Sequence, residues 1–137
     1  MNAVQAPRTT SARKSWNLNK VPKKKRLTIR YLRENNIFMA KGRSTGLELL
    51  PVYNRIILKL KAHLNHSEKL SCYFDYSVIN ATTTKLLCNL FSNLEKAASG
   101  GKTISVYWMI EEEDEDLIYA GELFQEIYDI NFKIVSK

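Results

Sequence analysis

The spacing of apolar residues switches repeatedly between two and about 3.6 along this chain, and that alternation restricts the fold more than any other feature. From Leu27 an extended stretch sends Leu27, Ile29 and Tyr31 one way and Thr28, Arg30 and Leu32 the other. Asn35-Asn36 supplies turn chemistry, and Ile37-Phe38-Met39-Ala40 follows as a second extended run, so the two predict a hairpin. Gly42 to Gly46 reads as a polar break. Leu49, Val52, Tyr53, Ile56, Ile57, Leu60 and Leu64 then recur at helical spacing. Pro51 is tolerated only in a first turn, which sets the start of this helix near Leu50.

Leu70, Cys72, Phe74, Tyr76 and Val78 alternate as a strand. Asn80 is placed to cap a long helix whose apolar stripe is Leu86, Leu87, Leu90, Phe91, Leu94 and Ala98, stopped by Gly100-Gly101. Ile104, Val106, Trp108 and Ile110 alternate again. The acidic run from Glu111 to Asp116 opens a third helix through Leu117, Ile118, Gly121, Phe124 and Ile127, and Phe132, Ile134 and Val135 close the chain as a short strand. The order is ββαβαβαβ. Strands joined through helices of this length lie parallel, so the prediction is one α/β domain, a mixed sheet of about five strands with helices packed on it.

Charge divides the chain in two. Residues 1–33 hold ten Lys or Arg and no acid, whereas the remaining 104 hold eleven basic and fourteen acidic side chains, so the formal +7 splits into +10 and −3. Residues 1–26 therefore predict a disordered basic tail and residues 27–137 the folded domain. Pro22-Lys23-Lys24-Lys25-Arg26 resembles a basic nuclear-import signal, and the acid-free leader resembles an organelle transit peptide. A solvated tail explains both more simply. No apolar stretch approaches the roughly 20 residues of a membrane-spanning helix. Two cysteines 16 positions apart, Cys72 and Cys88, make no disulfide framework and suit a reducing, cytoplasmic compartment. A polyanion-binding domain carries Lys and Arg on its folded surface, interleaved with aromatics, and the linear sequence shows no such pattern, which argues against nucleic acid as the partner.

Catalytic motifs fail on inspection. Gly101-Lys102-Thr103 echoes the end of a phosphate-binding loop, but Lys96 stands where the first Gly belongs and a strand follows where a helix is needed. His63 and His66 lack a third metal ligand nearby and read as surface histidines. No Ser or Cys stands beside a histidine in a nucleophile elbow. Cofactors, a metal and enzymatic activity are accordingly not expected. Glu111, Glu112, Glu113, Asp114, Glu115 and Asp116 lack the spacing of a cation loop. Helix-dipole complementation accounts for two or three of them, and the excess suits docking of a basic partner or of the leader. In Asn80-Ala81-Thr82-Thr83-Thr84-Lys85, three β-branched hydroxyls begin a helix despite weak helix propensity. A kinase can reach hydroxyls in such a first turn, and an added phosphate meets free N–H donors there.

These segments together resemble the SiaC family of bacterial regulatory phosphoproteins: Asn80-Ala81-Thr82-Thr83-Thr84-Lys85, the Gly-Gly-Lys turn, and Trp108 followed after two residues by the acidic run and then by Ala120-Gly121-Glu122-Leu123-Phe124. The resemblance runs from about Leu27 to the C-terminus. It implies a fold similar to the STAS domains of anti-sigma-factor antagonists and a non-enzymatic, partner-switching role. By resemblance the partners are a dedicated kinase, a PP2C-type phosphatase and a diguanylate cyclase that the unmodified form activates, in cyclic di-GMP signalling and biofilm control.

Two departures from the family pattern bear on the site. The motif reads Asn-Thr-Ser-Ser-x-Lys with its first Thr as phosphoacceptor, and Ala81 occupies that position here. The acceptor has either moved to Thr82, with Thr83 as a further candidate, or the chain stays unmodified; Asn80, Thr84 and Lys85 complete the switch-helix motif. Upstream, the family's Pro-Glu-Asn is replaced by Gly46-Leu47-Glu48. A different class of reading makes the chain a nucleic-acid or anionic-surface binder acting through its basic N-terminal tail.

Overall fold

The structure, a computed structural model, describes residues 26–46 and 48–137. Its order matches the periodicity: β1 (Thr28–Leu32), a 3-10 turn (Arg33–Asn35), β2 (Ile37–Ser44), α1 (Leu49–Leu64), β3 (Lys69–Ile79), α2 (Ala81–Ser99), β4 (Thr103–Ile110), α3 (Glu115–Ile127) and β5 (Asn131–Ser136). The five strands lie side by side in chain order. The β1–β2 pair is antiparallel, and the other pairings are parallel. Asn36, with φ 58°, turns the hairpin, a left-handed conformation that Asn tolerates better than most residues.

Consecutive strand order has a geometric consequence. Right-handed crossovers that all step the same way along a sheet place every helix on one face. Contacts from that face reach all three helices. Ser44 meets Tyr53 of α1, the Phe74 ring meets Phe91 of α2 edge-on at 5.4 Å, and the Trp108 ring meets Phe124 of α3 at 5.5 Å. Phe38, Ala40, Leu70, Cys72, Phe74, Val106, Trp108 and Phe132 line this face as the core, while among the described residues no helix lies on the opposite face. Burial pushes the Cys72 thiol strongly up, which keeps it protonated and inert inside the core.

Three expectations change. Gly42 is inside β2, not in a break: its φ of +110° and the approach of Arg26, whose carbonyl oxygen lies 2.1 Å from where a Cβ would stand, leave room only for glycine. The third helix starts at Glu115 with Asp114 as its cap, so Glu111–Glu113 precede it. His63 is buried, not a surface residue. Its Nε2 lies 3.1 Å from the Lys69 carbonyl, which only accepts, so Nε2 carries a proton and donates. In the neutral ring Nδ1 then accepts the Tyr31 hydroxyl. With both nitrogens engaged, His63 has no lone pair to offer a metal.

Candidate functional site at the start of the second helix

The loops after β2, β3 and β4 all leave the same edge of the parallel sheet, the edge where α/β folds gather their functional groups. At its middle, Asn80 is extended (φ −125°, ψ −178°) and its side-chain oxygen accepts the Thr83 N–H at 2.9 Å. This is the N-cap read from the sequence, and it satisfies one of the donors a helix start leaves open. Thr84 backs it up, its N–H and hydroxyl reaching the Asn80 carbonyl at 3.0 and 3.2 Å.

The three threonines have three fates. Thr82 is exposed, Thr84 is half-buried and Thr83 is fully buried. The Thr83 hydroxyl donates to the Ser44 carbonyl and lies 2.9 Å from the Ser44 hydroxyl. Ser44 Oγ lies 2.8 Å from the Tyr53 hydroxyl, which in turn lies 2.7 Å from that of Tyr76. Each hydroxyl has one proton, so the directions follow: Tyr76 donates to Tyr53, Tyr53 to Ser44, Ser44 to Thr83, and Thr83 to the carbonyl that ends the chain. Burial raises the Tyr53 phenol and lifts that of Tyr76 well above its usual range, which keeps both protonated and able to donate. Thr83 is therefore no phosphoacceptor in this fold. It anchors α2 to the end of β2, to α1 and to β3.

The stripe spacing carried that signal. Thr83 precedes Leu87 by four residues and Leu90 by seven, which puts it on the buried side of α2. Anchored there, the helix presents Ala81, Thr82 and Lys85 to solvent. Thr82 and Lys85 are three apart and share a face, so the ammonium can reach a group attached to the Thr82 hydroxyl.

The acidic loop lies one strand over. Asp114 Oδ1 caps α3 by accepting the Leu117 N–H at 3.2 Å, and Glu115 and Asp116 occupy the first turn. Three of the six acids thus complement the helix dipole. Glu111 pairs with Lys137 at 3.5 Å, while Glu112 and Glu113 are exposed. Among the described residues no three His, Cys, Asp or Glu side chains converge to hold a metal ion. The Gly46-Leu47-Glu48 departure falls partly outside the description, because Leu47 is not among the described residues.

A cap, one outward hydroxyl three residues before an exposed lysine, and an acidic loop after the next strand lie at this edge of the sheet. The sequence model of one family, described as SiaC family regulatory phosphoprotein, matches residues 21–137. The chain belongs to the SiaC family. Among solved structures it is similar to one of the diguanylate cyclase SiaD in complex with its activator SiaC from Pseudomonas aeruginosa. The TM-score is 0.77 and the identity 18%, covering 85% of this chain and 96% of that one. SiaC of Pseudomonas aeruginosa aligns with TM-score 0.71 at 18% identity, and its apo crystal structure with 0.71 at 17%, each covering 85% of this chain and 94% of the other. No curated protein matches significantly.

Packing explains the separation between Trp108 and Ala120-Gly121-Glu122 in this chain. The Trp108 indole N–H donates to the Leu117 carbonyl at 2.9 Å, which lays the ring under α3. Gly121 sits on that ring: a Cβ there would stand 2.5 Å from Cδ1 and 2.8 Å from Nε1. The pattern holds α3, and with it the acidic loop, against the sheet.

Proposed function

We propose that this protein is a non-enzymatic partner switch of the cytoplasm, which binds and activates a diguanylate cyclase through the exposed start of α2. A dedicated kinase and a PP2C-type phosphatase would set its state, with cyclic di-GMP signalling and biofilm formation downstream. The observation that supports this most is the contrast between Thr82 and Thr83: one hydroxyl faces solvent beside Lys85 while the next is locked into the core. Thr82 is the acceptor in this reading, one residue past the family position occupied by Ala81. A phosphate of charge about −1.5 to −2 on Thr82 would be drawn to Lys85 and the open N–H groups of the helix start. Partner binding would then require desolvating it, and affinity would fall. The exposed Glu112 and Glu113 extend the docking edge, and the reading does not require residues 1–25, which lie outside the described residues.

Intact-mass spectrometry after incubation with the cognate kinase and ATP tests this reading. One added phosphate on the natural chain, lost in Thr82→Val and unaffected by deletion of residues 1–25, is the expected result. Phosphate on neither the natural chain nor Ala81→Thr would refute inherited kinase control.

A further inference from the structure

The face of the sheet on which no helix of the described residues packs carries a row of side chains in register across the five strands: Arg30, Met39, Tyr73, Tyr107 and Lys133. The two tyrosine rings stack with centroids 4.6 Å apart and planes 13° from parallel, and both are half-buried. Four strand spacings of about 4.8 Å make the row about 19 Å long. A cation stands at each end, and neither ion-pairs among the described residues. Lys41, Arg43, Lys69 and Lys137 share this face by strand alternation, against two carboxylates, Asp75 and Glu111, which Lys137 holds at 2.7 and 3.5 Å. Lys and Arg interleaved with aromatics, missing from the linear sequence, are thus assembled by the sheet. Alternation had mixed them residue by residue with the core.

We propose that this face binds single-stranded nucleic acid, with bases stacked along Met39, Tyr73 and Tyr107 and phosphates held by Arg30, Lys133 and Lys41. Protein-binding patches deplete lysine and surround their apolar centre with a polar rim. This face is lysine-rich and net positive around a planar aromatic centre, the arrangement that accepts successive bases without regard to sequence. The site is separate from the start of α2 and does not depend on the phosphate switch.

Fluorescence anisotropy of labelled oligo(dT) and oligo(U) with the full-length chain tests the proposal. Tyr73→Ala/Tyr107→Ala leaves the net charge, and hence attraction by the leader, unchanged. Loss of two stacking platforms should weaken oligonucleotide binding at least about tenfold. Binding of inorganic polyphosphate, which has no bases, should not change, and Tyr73→Phe/Tyr107→Phe should bind like the natural chain. Equal oligonucleotide affinity for the natural and double-alanine chains, or a loss confined to polyglutamate binding, would overturn the proposal, the latter in favour of an acidic protein. If the alanine pair does not fold, Arg30→Gln/Lys133→Gln should flatten the slope of log affinity against log salt by about 1.4. An unchanged slope and affinity would likewise overturn it.

Discussion

Replacing each of two adjacent threonines by valine should produce opposite phenotypes. Valine keeps the shape and β-branching of threonine and has similar helix propensity, so the hydroxyl is the only group at issue. In Thr83→Val two buried oxygens of Ser44 lose a partner, the carbonyl its donor and the hydroxyl its acceptor. At about 1–3 kcal/mol for each buried polar group left unpaired, partly relieved if the Ser44 hydroxyl turns, the loss should be about 2–4 kcal/mol. That is a large share of a total near 5–15 kcal/mol, and for a domain of this size it corresponds to a fall in Tm of roughly 6–15 °C. Thr82→Val, at an exposed position, should stay within about 0.5 kcal/mol of the natural chain. Urea titration followed by circular dichroism gives both values, and the slope m shows whether unfolding exposes the same surface. Equal midpoints for the two variants would refute the buried hydroxyl chain and, with it, the division of labour between the two threonines.

Gly121→Ala gains about 1 kcal/mol of helix propensity but drives a methyl into the fixed Trp108 ring. Thermal unfolding should show a net loss of about 1–2 kcal/mol, and a rise in Tm would contradict the packing described. Asn80→Ala should cost about 1 kcal/mol in chemical denaturation whereas Asn80→Asp, which keeps the accepting oxygen, should cost much less. Because burial raises the folded-state values of Tyr53 and Tyr76, the folded state holds their protons more tightly than the unfolded state does. Stability should therefore be insensitive to these groups below about pH 10 and fall as pH rises beyond it. Tyr53→Phe/Tyr76→Phe should lose stability at neutral pH yet show a shallower alkaline decline in a Tm-versus-pH series.

Much of the fold was legible because period and burial agree. The strands of Leu70–Val78 and Ile104–Ile110 and the cap at Asn80 all follow from spacing and side-chain chemistry. Gly42 escaped because a polar Gly-containing stretch looks like a loop until Arg26 is seen crossing it. His63 escaped because its partners, Tyr31 and the Lys69 carbonyl, come from two different strands. Ser44, Tyr53 and Tyr76 looked like ordinary loop and core residues, since the chain of hydroxyls joining them exists only in three dimensions. The opposite face was hidden for a similar reason: element order gives the number of strands, but only their spatial order shows that α1, α2 and α3 fall on one side.

Calorimetric titration of the cognate diguanylate cyclase with Thr82→Arg, beside the natural chain and the distant surface variant Lys133→Gln, tests the central claim most directly. A bulky arginine at an exposed position leaves the fold intact but obstructs any contact made by the start of α2. Affinity is expected to fall at least about tenfold, close to 1.4 kcal/mol, for Thr82→Arg and to stay unchanged for Lys133→Gln. Binding of Thr82→Arg as tight as that of the natural chain would contradict the claim that this turn is the surface the partner reads.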